Sequence, residues 1–148
     1  MAPRVDFYVL PESLAALRFA CSMTAKVRRQ GLMVHIHAES RDEAVKLNDL
    51  LWTFRDISFV PHCLADERRD PESAPVVIGW TGEAPCSNSV LINLGPNVPD
   101  FASGFDRIVE PVSPQSPDRE QARERWRHYR DMGCELHSHE LEGDEPDA

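Results

Sequence analysis

The sequence predicts an α/β fold, a single three-layer domain in which a mostly parallel sheet carries helices on both faces. An apolar, β-branched run at residues 5–10 is followed by a helical pattern that ends near residue 30. A second strand pattern and a second helical pattern follow at once, and a last helical pattern begins at residue 117. Strands that alternate with helices pair in parallel, which is why helices are expected to cover both faces of the sheet.

The first two strand–helix pairs are the clearest elements. The strand at 5–10 leads into a helix whose stop signal is Gly31, a residue that tolerates the left-handed conformation at a helix end. The strand at 32–37 leads into a helix for which Ser40 and Glu43 form a capping box. This second helix is expected to end near Trp52.

The chain from residue 55 to 74 lacks a regular pattern and is expected to be irregular. Beyond it the pattern predicts strands at 76–80 and 90–94, a short helical turn at 101–104 and a strand at 105–112. A helix is predicted at 117–132, with Gly133 as its stop signal. From Glu135 onward the chain is acidic and lacks periodicity, so we expect it to be disordered. The predicted organisation is one domain over residues 1–136 and an acidic tail over 137–148.

The formal net charge of −9 limits the kinds of partner. Such a chain repels phosphate over most of its surface, so any contact with DNA is expected to be local or mainly indirect. No run approaches the ~20 apolar residues of a membrane helix, and the first ten residues lack the pattern of a signal peptide. We therefore expect a cytoplasmic protein without membrane contact, whose four cysteines are free thiols.

A nucleotide site is not favoured by the first strand–helix turn. Phosphate binding there needs glycines, which let backbone N–H groups approach the phosphate. This turn, residues 10–14, contains no glycine, and Glu12 would repel phosphate. A phosphate-binding loop motif is also missing from the sequence, so no cofactor is predicted.

Histidine and cysteine pairs raise the question of a metal site. Cys134, His137 and His139 are close in sequence, and His62 adjoins Cys63. Structural zinc needs three or four ligands held on ordered chain, whereas the first cluster begins the predicted tail. No metal ligand and no catalytic residue are predicted.

The last predicted helix is unusually basic for this chain. It carries five arginines among the chain's 16 basic residues, Arg119, Arg123, Arg125, Arg127 and Arg130, with two aromatic residues, Trp126 and Tyr129, between them. Arginine beside an aromatic ring suits a short acidic, hydrophobic peptide, because guanidinium binds carboxylate and the ring packs on an apolar side chain. By pattern alone, the favoured interpretation is a solvated helix whose arginines pair with Glu120 and Glu124, and direct binding of DNA phosphates is a third interpretation.

A second group of large apolar side chains follows the second helix. Trp52, Phe59, Val60 and Pro61 occur where the chain becomes irregular. In a domain of this size they either close one end of the core or form an exposed patch for a partner.

Several blocks resemble the chi subunit family of bacterial DNA polymerase III. Leu51 and Trp52, the run Ser58-Phe59-Val60-Pro61-His62 and the pair Leu64-Ala65 resemble one family signature. Residues 6–10 resemble the family's first strand, residues 100–102 with Phe105 another block, and residues 122–130 its A-R-E-R-[YW]-x-x-Y-R helix. The similarity covers about residues 4–136 in one order, while residues 66–73, 81–88 and the chain beyond Leu141 match poorly.

The resemblance implies a Rossmann-like domain without nucleotide and a non-catalytic accessory subunit of the polymerase III holoenzyme. Chi proteins link the clamp loader to single-stranded DNA-binding protein by grasping the acidic C-terminal tail of that protein, which ends in phenylalanine. The family's tail-binding residues carry over to Val112, Arg123 and Trp126, with Arg127 and Arg130 as neighbouring basic candidates. Many family members have Tyr where this chain has Trp126.

The resemblance also implies a second partner surface. Chi proteins bind the psi subunit of the clamp loader, and the aromatic anchors of that surface carry over to Trp52 and Phe59, with Val60 and Pro61 beside them. A repair helicase is a further partner expected at this surface. The alternative function, from a different class, is that of a small α/β enzyme acting on a nucleotide or phosphorylated metabolite.

Overall fold

The computed structural model describes residues 3–11, 15–53, 62–64, 75–80, 90–114 and 118–141. This part of the chain contains the strands β1 (Arg4–Val9), β2 (Val34–His37), β3 (His62–Leu64), β4 (Val76–Gly79), β5 (Val90–Asn93), β6 (Arg107–Val112) and β7 (Glu135–Glu140). It also contains the helices α1 (Ala16–Arg29), α2 (Arg41–Thr53) and α3 (Asp118–Asp131), and a 3-10 turn at Ala102–Gly104.

The strands form one sheet in the order β3-β4-β2-β5-β6-β1-β7. Every neighbouring pair of strands is parallel. After β4 the chain returns through β5 and β6, which fill the space between β2 and β1. The predicted mostly parallel sheet is therefore confirmed.

The helices divide between the two faces of the sheet because alternate residues of a strand point to opposite sides. On one face, Phe19 of α1 packs on Tyr8 of β1 with ring centroids 5.3 Å apart, and Leu47 of α2 belongs to the same buried cluster. On the other face, Phe7 of β1 meets Tyr129 of α3 at 6.0 Å. The predicted three-layer α/β domain is confirmed.

The local signals at three helix ends are confirmed. Gly31 and Gly133 have backbone φ values of +79° and +82°, which residues with a Cβ atom rarely adopt. At the end of α3, Gly133 N–H donates to the carbonyl of Arg130, which completes the turn and sends the chain directly into β7. At the start of α2, the Glu43 N–H donates to Ser40 Oγ at 3.2 Å, as the capping box predicts.

A buried ion pair fixes α3 on the sheet. Glu110 of β6 is completely buried and accepts hydrogen bonds from Arg125 Nε at 2.8 Å, Tyr129 Oη at 2.6 Å and Asn93 Nδ2 at 2.7 Å. Arg125, 3% exposed, also donates to the Pro96 carbonyl at 3.0 Å. Burial raises the pKa of the Glu110 carboxyl, and the charge of Arg125 opposes that rise.

Two strands were not predicted. β3, with only three residues, lies in the stretch expected to be irregular, and short edge strands carry little pattern. The prediction of disorder from Glu135 onward is wrong for Glu135–Glu140, which form β7 beside β1. Residues 142–148 of the predicted tail lie outside the described residues, and the domain division itself stays a prediction.

Tertiary contacts explain why the polar segment of β7 is a strand. His139 Nε2 lies 2.9 Å from Oδ1 of the buried Asp6, and the His139 ring stacks on Tyr8 with centroids 4.7 Å apart. Burial by itself raises the pKa of Asp6, but hydrogen bonds from His139, Arg4 and Arg107 outweigh it, so the pKa is lower than usual. The buried, charged carboxylate of Asp6 in β1 thus holds β7 at the sheet edge, although the sequence of β7 has no apolar pattern.

Candidate functional site

A groove of about 310 Å³ lies between α3 and the edge of the sheet formed by β1 and β7. Its apolar lining consists of Phe7, Val9, Val112, Ala122 and Trp126. Its polar lining consists of Arg119, Arg123, Arg127, Arg130 and Ser138. The groove thus combines an apolar floor with four guanidinium groups on one side.

The spacing of α3 residues explains why one helix both fills the core and lines the groove. Ala122, Arg125 and Tyr129 form its buried stripe, at the i, i+3 and i+7 spacing of one helix face. Trp126 lies on the flank of that stripe and is half-buried, and Arg123 lies further out and is exposed. The groove therefore runs along the flank of α3 rather than along its outer surface.

Aromatic contacts shape the floor of the groove. The Trp126 ring lies 5.1 Å from the ring of Phe7, centroid to centroid, with the planes at 54°. Val9 and Val112 are paired in the register of β1 and β6 and point to the same face of the sheet as Phe7. The floor can accept an apolar or aromatic group laid beside Trp126.

The four groove arginines differ in their contacts. Arg127 is 2.7 Å from Glu124, and Arg130 is 3.9 Å from Asp131, both pairs being solvent-exposed and hence weak. Arg119 and Arg123 form no ion pair with any residue in the described ranges. These two guanidinium groups can bind carboxylates without breaking an ion pair within those ranges.

A second hollow, of about 290 Å³, continues the groove at the carboxyl ends of β1, β6 and β7. It shares Val9, Val112 and Arg119 with the groove. Glu140 and Leu141, where β7 ends, also line it.

All five residues predicted for the peptide site line this one groove: Val112, Arg123, Trp126, Arg127 and Arg130. Five further lining residues were not assigned to the site from the sequence, although Arg119 was recognised as part of the basic helix: Phe7, Val9, Arg119, Ala122 and Ser138. The i, i+4 spacing of Arg119 and Arg123 was a usable signal for the former. No sequence pattern indicated Ser138, because its polar segment lacks periodicity and was expected to be disordered. Which ligand the residues bind stays a prediction.

The second predicted surface is only partly described. Trp52, in the last turn of α2, is 51% exposed. α2 packs near β3 and β4, at the opposite edge of the sheet from the groove. The other predicted residues, Phe59, Val60 and Pro61, lie outside the described residues.

The candidate metal ligands make other contacts. His137 Nε2 lies 2.7 Å from Glu135, and His139 contacts Asp6 as described above. Cys134 and Cys21 are free thiols, as predicted. Within the described ranges, no three metal-binding side chains are clustered closely enough to hold an ion. No helix in that part of the chain is long and apolar enough to cross a membrane.

Comparison with known proteins identifies the family. Residues 2–137 match the family model described as DNA polymerase III chi subunit, HolC. The chain is 40% identical to DNA polymerase III subunit chi of Pseudomonas aeruginosa, over 93% of this chain and 96% of that protein. It is 34% identical to the Haemophilus influenzae protein of the same name, over 92% and 96% of the two chains, and to the Escherichia coli one, over 89% and 94%. The chain therefore belongs to the DNA polymerase III chi subunit family.

Proposed function

We propose that this chi-family protein is a non-catalytic, cytoplasmic subunit of the DNA polymerase III holoenzyme that bridges the clamp loader to single-stranded DNA-binding protein during DNA replication. The groove beside α3 would bind the acidic C-terminal tail of that protein. The observation that carries the proposal is the combination of an apolar floor at Trp126 with two arginines, Arg119 and Arg123, that form no ion pair within the described residues.

The chemistry of the groove matches a short acidic peptide that ends in an aromatic residue. The terminal ring would pack between Trp126 and the floor residues Phe7 and Val112, out of water. Carboxylates of the peptide would accept hydrogen bonds from the exposed guanidinium of Arg123. Because exposed ion pairs contribute only ~0–1 kcal/mol, the buried ring must supply much of the affinity.

Weak binding at one groove is compatible with the proposed role. A DNA-binding partner that is oligomeric offers several tails at once, so each bound tail raises the effective concentration of the next. The contact with DNA would be mainly indirect, since the chain's charge of −9 disfavours phosphate while the groove admits a local anion.

The proposal is tested by calorimetric titration of the protein with the C-terminal peptide of single-stranded DNA-binding protein. We expect micromolar binding that weakens as salt is added, because counterions screen the arginine–carboxylate contacts. A peptide whose final phenylalanine is replaced by alanine is the control and should bind much more weakly. No binding at low salt and high peptide concentration would refute the proposed peptide site.

We further propose that the surface around Trp52 binds the psi subunit, and that a repair helicase uses the same surface. Support comes from the exposure of a large indole at the end of α2, far along the sheet from the groove. Two separate surfaces are what a bridging protein requires.

Trp52→Ala should therefore reduce the recovery of psi from the same organism about tenfold or more in a co-purification assay, because an interface loses its aromatic anchor. Peptide binding at the groove should be unchanged. Leu32→Ala is the matched control, since Leu32 is also a large exposed apolar residue, 40% exposed, but lies outside α2. Equal psi recovery with Trp52→Ala and with the unchanged protein would contradict the assignment.

The enzyme alternative gains no support from an observation in the described residues. A thermal-shift screen with nucleotides and divalent ions separates it from the adaptor function. Stabilisation by a nucleotide would favour the enzyme, and tight binding of naked single-stranded DNA would favour direct DNA binding.

A further inference from the structure

We propose that the acidic sequence after Leu141, E-G-D-E-P-D-A at residues 142–148, binds the groove beside α3 and competes there with the partner peptide. The protein would thus carry an internal regulator of its own peptide site. The inference rests on the proposed function, because it assigns a form of regulation to the same groove.

The position of Leu141 is the first observation. β7 ends at Glu140, and the Leu141 N–H donates to the Val9 carbonyl at 3.0 Å, which extends the pairing with β1 by one residue. Glu140 and Leu141 line the second hollow together with Arg119. The chain therefore leaves the described structure at the mouth of the groove, beside its first arginine.

Charge complementarity is the second observation. Residues 142–148 carry four carboxylate side chains and no basic residue. The groove carries four arginines, and Arg119 and Arg123 have no acidic partner in the described part of the chain. The same preference for carboxylates that suits a partner peptide also suits this segment.

The reach of the segment is sufficient. Seven extended residues span up to about 23 Å. Arg119 and Arg130 are separated by eleven helical residues, about 17 Å along α3. α3 connects two parallel strands, β6 and β7, so it runs in the opposite direction to β7. To follow α3 from Arg119 towards Arg130, the chain therefore has to reverse its direction after Leu141. Gly143 supplies the conformational freedom for that reversal.

The composition of the segment makes it a weak competitor. It contains no aromatic or large apolar residue, so it can satisfy the arginines but cannot fill the floor at Trp126. Short tethers give effective concentrations in the millimolar range, which compensates for a weak intrinsic affinity. A partner peptide with a terminal ring displaces the segment, and a merely acidic ligand is excluded. The segment thereby lowers the apparent affinity of every ligand that must displace it, so that at low concentration the groove is occupied by ligands that also make the ring contact.

The first test compares peptide binding by the full chain with that of a variant in which Glu142→Gln, Asp144→Asn, Glu145→Gln and Asp147→Asn are combined. We expect the variant to bind the partner peptide about threefold to tenfold more tightly at low salt, and the difference to shrink at high salt. The control variant combines Glu39→Gln, Asp49→Asn, Asp100→Asn and Asp106→Asn. These four acidic residues are exposed and do not line the groove, and both variants remove four negative charges. An equal increase in peptide affinity in the two variants would mean that only the net charge matters, and it would overturn the proposal.

A second measurement needs no partner peptide. In nuclear magnetic resonance spectra, the Trp126 indole N–H and the Nε–H signals of Arg119 and Arg123 should shift between the full chain and the tail variant, but not between the full chain and the control variant. If these signals stay unchanged, the tail does not occupy the groove, whatever the peptide does. If the signals shift but no variant binds the peptide, the internal contact stands and the proposed function fails.

Discussion

Arg125→Ala should lower the free energy of unfolding by about 3–5 kcal/mol, the cost of leaving one member of a buried ion pair without its partner. Arg125 is 3% exposed, and its guanidinium lies 2.8 Å from the fully buried carboxylate of Glu110. Among the described residues, removal of the guanidinium leaves the Glu110 charge with two neutral donors, Tyr129 and Asn93. Urea-induced unfolding measures the change.

Arg123→Ala, on the same helix, is the matched control. Its side chain is exposed and forms no ion pair in the described ranges, so its removal should change the free energy of unfolding by less than about 0.5 kcal/mol. A loss below about 1 kcal/mol for Arg125→Ala would contradict the role assigned to the buried pair.

The stability of Arg125→Ala should also depend on pH. Burial already raises the pKa of Glu110, and loss of the opposing arginine charge raises it further. A folded-state pKa above the unfolded value means that the folded protein holds the extra proton, so stability falls as pH rises through that interval. The variant should therefore be closer to the unchanged protein at pH 5 than at pH 8. Glu110→Gln combined with Arg125→Ala should remove this pH dependence.

Trp126→Ala should weaken binding of the C-terminal peptide of single-stranded DNA-binding protein by about 10- to 100-fold. The terminal ring of the peptide would lose the surface on which it packs, and burial of one large side chain is worth ~1.5–3 kcal/mol. Calorimetric titration measures the change. Arg123→Ala should also reduce binding strongly, and Arg123→Lys should restore it only in part, because an ammonium lacks the planar fork of a guanidinium.

Trp126→Tyr is the control, because it keeps an aromatic ring at this position. Its affinity for the peptide should lie within about threefold of that of the unchanged protein. Because the Trp126 ring lies 5.1 Å from Phe7, the free energy of unfolding of each variant needs to be measured alongside. If Trp126→Ala folds normally and binds the peptide as well as the unchanged protein, the aromatic slot is assigned to the wrong residue.

The arginines of α3 illustrate how far local pattern reaches. The sequence alone indicated a basic helix with an aromatic residue and a peptide as one possible ligand, and the helix is Asp118–Asp131. Helical spacing places Arg119 and Arg123 on one face, but it does not indicate that Arg125 pairs with a buried carboxylate, because that partner lies in a different element. Only the position of Glu110 under α3 decides that Arg125 is a core residue while Arg123 faces solvent.

The alternation of strands and helices, the capping box at Ser40 and the glycine stops at Gly31 and Gly133 can be predicted from local sequence, because each depends on residues close together in the chain. In contrast, β7 and the groove that it borders depend on contacts between distant parts of the chain. The segment Glu135–Glu140 has no apolar period of its own, and contacts between His139 and both Asp6 and Tyr8, more than 130 residues earlier in the chain, hold it at the sheet edge. Because residues distant in sequence stabilise this strand, the strand does not need an alternating apolar pattern of its own.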